Sequence, residues 1–300
     1  MKILITAGGT AERIDAVRSV KNTSTGLLGM LIADEFAKQP DAEVTYVCAA
    51  DSAVPEGEGI ETVRVTSVES LKETLTDLFI KNRYDAVIHS MAVSDYSVHS
   101  IMPYDFNNGI MLDGSGLGGQ KKISSETEGL AVIMKKAPKV IKLIKQLQPE
   151  TVLIGFKLLV GVDENMLLQQ GNELLMDNGC DFVFANDLER ISRDEHHGLL
   201  IKPGSTFERL RTKREIAAAV VNNTVTKIKE AVKEMKIGFI GAGKTGFTLG
   251  KYFSERKVKI SGYYSLNPDS ALATAFSKLG DRLYLRPAAS KMESRSALPP

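Results

Sequence analysis

The chain has 300 residues, 43% hydrophobic and 25% charged, the proportions of a soluble globular protein with room for one large domain or two modest ones. Its formal net charge is +1, so no global field favours nucleic acid or an anionic membrane, and neither is expected as a partner. Any anionic ligand must instead be held by local lysines, backbone N–H groups and helix ends. Cys48 and Cys180 are far apart among apolar neighbours and read as buried thiols of a reducing compartment. His196 and His197 have no further Cys or His at ligand spacing, so they read as part of an exposed polar loop, and no metal ligands are assigned. Met1 to Ile5 enters a strand without a signal-peptide stretch, and no run of about 18 apolar residues suggests a membrane span, which points to the cytoplasm.

Strand and helix patterns alternate from the start. Lys2 to Thr6 (KILIT) is a short apolar run ending at Ala7-Gly8-Gly9-Thr10, and Leu28 to Lys38 has helical spacing. Glu43 to Cys48 and Glu61 to Val65 read as the next strands. Ser67 is an N-cap candidate for a helix to Lys81, with Val68, Leu71, Leu75 and Leu78 on one face. Asp85 to His89, Thr151 to Phe156 and Asp181 to Ala185 continue the strand series. Apolar strands alternating with helices predict an α/β, Rossmann-like, mostly parallel sheet with helices on both faces. In such a sheet ligands sit beyond the carboxyl ends of the strands, which directs attention to Gly8-Gly9-Thr10, His89 to Tyr96, Phe156-Lys157 and Asn186-Asp187. Residues 102 to 128, rich in Gly, Asp and Asn, read as a long functional loop.

Arg214 to Met235 is an amphipathic helix that closes this unit. The pattern then restarts at Met235-Lys236-Ile237-Gly238-Phe239-Ile240-Gly241-Ala242-Gly243, so a boundary is placed near residue 234, giving domains 1–234 and 235–300. Gly241, Gly243 and Gly246 form G-x-G-x-x-G between a strand and a helix, the context of a dinucleotide-binding turn. Gly238 to Thr245 also satisfies the P-loop pattern, but Phe239 and Ile240 belong to the strand, which leaves too short a loop for a triphosphate. The next strand ends at Ser265, without the acidic residue that would hold an NAD ribose, and the remaining length cannot supply a second mononucleotide half. Residues 235–300 are therefore expected to be a truncated Rossmann-like unit with a disordered end, a fusion or frameshift remnant.

Gly8-Gly9-Thr10 alone fits a tight turn as well as a phosphate loop. Asn22-Thr23-Ser24-Thr25-Gly26-Leu27-Leu28-Gly29 adds small hydroxyl residues and glycines entering a helix, where free N–H groups hold an anion. The full run ILITAGGTAERIDAVRSVKNTSTGLLG, residues 3 to 29, resembles the opening of phosphopantothenate–cysteine ligases (phosphopantothenoylcysteine synthetases). Ala92-Val93-Ser94-Asp95-Tyr96, Lys122-Ile123-Ser124-Ser125, Lys136-Ala137-Pro138, Gly155-Phe156 and Ala185-Asn186-Asp187 are similar to later motifs of the family, in the same order. Phe156-Lys157-Leu158-Leu159 most resembles the stand-alone bacterial form, without the flavin-dependent decarboxylase domain of bifunctional members.

The resemblance implies an enzyme of coenzyme A biosynthesis. The carboxylate of 4'-phosphopantothenate would attack the α-phosphate of CTP (or ATP), and the cysteine amine would then displace CMP or AMP. Mg²⁺ is implied as cofactor, and positioning and electrostatics would supply most of the catalysis. In this reading Lys122 neutralises the triphosphate and Asn22 orients the acyl-nucleotide, the two catalytic assignments. Gly8, Gly9, Thr10, Ser24 and Gly26 border the phosphates. His89, Ser90 and Met91 present backbone groups to the base, Asp95 meets the nucleotide or its Mg²⁺, Lys136, Ala137 and Pro138 flank it, and Phe156 packs on it. A homodimer, and a functional link to a separate phosphopantothenoylcysteine decarboxylase, also follow. Two departures stand out: Leu174 and Asn178 occupy positions where some bacterial members carry lysines, and His89-Ser90-Met91 is bulkier than usual. The rival readings are an NAD(P)-dependent oxidoreductase, which lacks a Tyr with a Lys four residues later, and a non-catalytic nucleotide-binding module, which would not need Asn22 and Lys122 together.

Overall fold

The computed structural model describes residues 1–111, 117, 122–234, 236–240, 244–255, 259–264 and 283–284. Strand β1 (Lys2–Ala7) is buried from Ile3 onward. Strands β2 (Ala11–Arg13) and β3 (Ser19–Lys21) then form a small antiparallel hairpin. Helix α1 (Leu27–Ala37), strands β4 (Glu43–Ala49) and β5 (Ile60–Val65), helix α2 (Val68–Lys81) and strand β6 (Ala86–His89) follow. Strands β7 (Tyr96–Asp105), β8 (Ile110–Met111) and β9 (Leu130–Lys136) make a separate antiparallel arm. Helix α3 (Val140–Leu147), strand β10 (Val152–Leu159), helix α4 (Glu164–Asn178), strands β11 (Phe182–Ile191), β12 (His196–Lys202) and β13 (Thr206–Leu210), and helix α5 (Lys213–Glu234) complete the series.

The main sheet has the order β13-β12-β11-β10-β6-β1-β4-β5. From β5 to β11 every pairing is parallel. In chain order these six strands read 3-2-1-4-5-6, the doubly wound Rossmann arrangement, whose order reverses between β1 and β6. Strand alternation explains the two helical layers. Leu4, Val87, Leu153 and Val183 pack with residues of α2 and α3 in one cluster. On the other face α1 comes so close that a Cβ on Gly29 would lie 2.5 Å from that of Ala7. Ser67 caps α2 by accepting from the Ser70 N–H, as its position in the sequence implied.

The chain departs from the expected pattern in two places. First, β12 and β13 are antiparallel. The connection after β12 holds only residues 203–205, with Gly204 and Ser205 at positive φ, and a parallel crossover needs a dozen or more. Second, residues 102–128 are not wholly loop: β7 runs to Asp105, β8 pairs with it, and the Tyr104 N–H reaches the Gly129 carbonyl at 2.9 Å. β7 lacks the apolar run that marks a buried strand and carries Pro103, so a propensity reading passes over it.

The chain divides into the units Met1–Val225 and Thr226–Pro300, and the division falls inside α5. In the second unit β14 (Lys236–Ile240), α6 (Lys244–Glu255), β15 (Lys259–Tyr264) and β16 (Leu283–Tyr284) form a short parallel sheet, β14-β15-β16, with one helix between its first two strands. Gly241 and Gly243 of the dinucleotide pattern lie outside the described residues, and Gly246 is on α6. Among the described residues no helix is long and apolar enough to cross a membrane.

Candidate active site

The carboxyl ends of β1 and β6 carry two turns that lock together at the point where the strand order reverses. Gly9 and Ala92 form a bridge, the Ala92 N–H donates to the Gly8 carbonyl, and the Thr10 N–H donates to the Ala92 carbonyl. Thr10 is wholly buried; its Oγ1 accepts from the Ser94 N–H at 2.9 Å and donates to Ser94 Oγ at 3.1 Å. Thr10 is therefore a brace for residues 92–94, and its N–H is not free for a phosphate. Gly8, at φ 87°, must be glycine: a Cβ there would fall 1.7 Å from Ser52 Oγ. Gly9 must be glycine as well, because its Cβ would meet the Asn22 carbonyl oxygen at 2.2 Å.

Asn22 lies against these turns. Its N–H donates to the Thr10 carbonyl, and its Nδ2 donates to the Ala92 carbonyl at 2.9 Å, with Ser94 Oγ at 3.4 Å. With Nδ2 committed, Oδ1 is the end left for a ligand's donor. Ser24 is half-buried on the approach to α1. That helix starts at Gly26, in the left-handed region at φ 76°, with no side-chain cap, so its first turn retains N–H groups suited to an anion.

His89 ends β6 and is buried; its Nδ1 shares a hydrogen bond with Thr6 Oγ1 at 2.8 Å, and burial pushes the imidazole down to about 4. Ser90 is tied twice to Thr6, N–H and Oγ both donating to its carbonyl. The Ser90 N–H is thus internal and is not among the backbone groups this segment can offer a base, and the Met91 side chain is core. Asp95 is exposed and pairs with Lys139, while its carbonyl accepts from the Ala137 N–H at 2.8 Å. Ala137 is buried, Lys136 and Pro138 are exposed, and the three lead from β9 toward α3. Phe156 follows Gly155, the partner of His89 across β6 and β10; its half-buried ring lies 5.8 Å from that of Phe184. Sheet register thus brings the residues around Gly8, Asn22, His89, Asp95 and Phe156 to one edge.

Lys122 is exposed, and the structure shows what holds its neighbour. The Ile123 N–H donates to Asp15 Oδ2 at 3.1 Å, and the Ile123 carbonyl accepts from Arg18 Nη2 at 2.9 Å. The Asp15 carboxylate, closed off from solvent, also accepts from the Val17 and Arg18 N–H groups and from Arg18 Nε and Nη2. The Arg18 guanidinium, opposed by burial and aided by the Val17, Ile123 and Arg18 N–H groups, holds this acid well below the usual carboxylate range. Glu12 is also structural: its Oε1 accepts from the Val68 N–H at the start of α2. Asp15, Arg18, Glu12 and Ser94 all sit inside the motifs read from sequence, yet were given no role there. An acid two or three residues before an Arg in a turn is the signal that was available.

Asn186 and Asp187 are buried at the end of the parallel part of β11. Burial raises the Asp187 carboxyl, but N–H groups of Glu189, Gly161 and Val162 outweigh it and the acid is held low. Asp187 is thus a cap for the β10–α4 connection. Among the described residues no group of three or more His, Cys, Asp or Glu could hold a metal ion.

The sequence matches the model of the DNA/pantothenate metabolism flavoprotein C-terminal domain over residues 1–107 and 118–228. The chain belongs to this family. It is 31% identical over 219 residues to the Coenzyme A biosynthesis bifunctional protein CoaBC of Thermococcus kodakarensis, covering 72% of this chain and 49% of that protein. The chain thus spans about half the length of the curated relatives it matches. The crystal structure of the DNA/pantothenate metabolism flavoprotein from Streptococcus pneumoniae superposes with a TM-score of 0.65 at 34% identity, covering 76% of this chain and 99% of that one. A Cab2 complex with phosphopantothenate-cysteine, at 18% identity and a TM-score of 0.57, covers 77% of this chain and 88% of its own and shares the fold. At the two positions that departed from the resemblance, both side chains face the protein itself. Leu174 packs against the core beneath Gly155, and Asn178 Nδ2 donates to the Leu174 carbonyl.

Proposed function

We propose that the first unit is a phosphopantothenate–cysteine ligase of coenzyme A biosynthesis. The observation that carries the reading is the placement of Asn22. Its carboxamide is pinned by Ala92 at the strand-order reversal, beside the uncapped start of α1, where an acyl phosphate anhydride would sit. Family membership and the name of the curated relatives support it.

In this reading a carboxylate oxygen of 4'-phosphopantothenate attacks the α-phosphorus of CTP, or ATP, and pyrophosphate leaves. The cysteine amine then attacks the acyl carbon, loses a proton and expels CMP or AMP. Lys122 supplies positive charge to the phosphates, Asn22 orients the mixed anhydride, and the α1 N-terminus receives a phosphate. Mg²⁺, when bound, neutralises phosphate oxygens. Asp95, an exposed carboxylate paired with Lys139, would serve such an ion by exchanging that partner for the metal, since Mg²⁺ is usually held by one or two carboxylates plus substrate phosphates. Lys136 and Pro138 flank the nucleotide and Phe156 packs on it. A homodimer in the cytoplasm fits the apolar side chains that the arm exposes, Phe106, Ile110 and Met111, and the bifunctional relatives point to a decarboxylase as functional partner.

Pyrophosphate release by the full chain with 4'-phosphopantothenate, cysteine and Mg²⁺, with CTP against ATP, tests the reading. Substrate-dependent release that falls steeply, to a small residual rate, in Asn22→Ala and in Lys122→Ala supports it and names the nucleotide. No release with either nucleotide overturns it.

A further inference from the structure

We propose that Asp15, with Arg18, is the positioning residue for Lys122, one buried carboxylate tying the segment that carries Lys122 to the segment that carries Asn22. The inference rests on the ligase reading and adds to it a device for setting the geometry of its two catalytic residues.

Lys122 needs such a device. Its ammonium ends a flexible four-carbon stem whose rotamer freedom opposes any fixed contact, by about 2 kcal/mol for a lysine side chain. An ammonium on a freely moving backbone would lose far more. The peptide between Lys122 and Ile123 is one rigid plane, and its N–H is the group that donates to Asp15 Oδ2. The next carbonyl, that of Ile123, is held by Arg18 Nη2. The Ile123 side chain is buried, so both backbone polar groups and the side chain of the residue beside Lys122 are fixed. The two contacts join positions 108 and 105 residues apart in sequence.

The other side of the same carboxylate faces the Asn22 segment. Asp15 Oδ1 accepts from the Val17 and Arg18 N–H groups and so sets the turn between β2 and β3. β3 follows directly and ends at Lys21, one residue before Asn22. Five N–H donors thus converge on one carboxylate shut off from solvent, with a sixth contact passing through Arg18 to Ile123. A helix or turn cap needs one or two such bonds. The surplus is spent on a tie across the site. An amide at position 15 would present an NH₂ to some of these donors and could not satisfy the set.

The test is a double-mutant cycle on the full chain, Asp15→Asn with Lys122→Ala, read by pyrophosphate release. It is paired with amide hydrogen exchange at Ile123, which needs no activity. Asp15→Asn is expected to lower kcat on the order of 10²-fold, the cost of a catalytic group misplaced by about an ångström, while the KM for cysteine stays unchanged. In the Lys122→Ala background the same change should cost less than about threefold, because the group being positioned is gone. Ile123 should exchange slowly in the parental chain and lose that protection in Asp15→Asn. If Asp15→Asn does not fold, Arg18→Lys replaces it in the cycle, since lysine keeps the charge but cannot bridge Asp15 and the Ile123 carbonyl together. Losses that add across the cycle, or rapid Ile123 exchange in the parental chain, overturn the inference and leave the ligase reading standing. Absence of turnover in the parental chain overturns that reading, and this inference with it.

Discussion

His89 gives the sheet unit a stability that depends on pH in a window where its acids do not act. The imidazole is buried at the end of β6 with Thr6 Oγ1 as its partner, and burial lowers it from 6.5 to about 4. Below pH 6.5 the unfolded chain binds a proton here that the native chain refuses. The stability is complete above pH 6.5 and falls as the pH drops toward 4. The slope is about 1.36 kcal/mol per pH unit, so roughly 2 kcal/mol is lost between pH 6.5 and 5. His196, expected in an exposed loop, is instead buried at the start of β12, and burial lowers it to about 4 as well, aided by Lys213 and His197, so it adds a loss of the same sign. Asp15 and Asp187 are held low, so their contribution is present above about pH 3.8 and lost only below it. Urea unfolding of the parental chain and of His89→Asn at pH 7 and pH 5 isolates the term. Asparagine keeps a polar atom near Thr6 but does not titrate. The loss from pH 7 to 5 should be about 2 kcal/mol smaller in the variant. Equal losses in the two chains would refute the assignment of this window to His89.

Gly8→Ala should destabilise the sheet unit by more than the ~1–2 kcal/mol that a left-handed residue with a Cβ costs, because that Cβ also collides with Ser52 Oγ; adding Ser52→Gly should return part of the loss in a thermal melt. Thr10→Val keeps the shape but orphans the Ser94 N–H, a cost of about 1–3 kcal/mol, and Thr10→Ser should recover most of it in the same melt. Asp187→Ala strips three N–H groups of their acceptor, so amide exchange at Gly161 and Val162 should accelerate while exchange at Ile123 does not change.

The fold was legible where sequence pattern and tertiary context agree. The unbroken apolar runs of β1, β4, β6, β10 and β11 are what a strand covered on both faces requires, and they became the parallel part of the sheet. The arm was not legible. β7 and β9 are half-exposed and carry charged and polar residues, so their strand character comes from pairing with each other across a long insertion rather than from local preference. β12 and β13 were passed over for a related reason: only the short turn at Gly204 reveals that the chain doubles back instead of crossing over.

The site separates in the same way. Sequence marks the residues that gather at the strand-order reversal but does not say which of them face a ligand. Thr10 and Ser90 look like phosphate or base contacts in a motif, yet both spend their polar groups inside the protein. Asp15 and Glu12 carry no role in the motif reading, yet one ties the Lys122 segment and the other accepts from the Val68 N–H at the start of α2. A motif residue that satisfies its polar atoms on neighbouring backbone is holding geometry, and a residue left with an uncommitted group is placed to meet substrate. Among the described residues, Asn22 Oδ1, the first turn of α1 and the exposed ammonium of Lys122 are groups of the second kind. They are an acceptor, a set of N–H donors and a cation. That combination suits the reaction proposed above, in which charge builds on phosphate oxygens and an amine must be oriented.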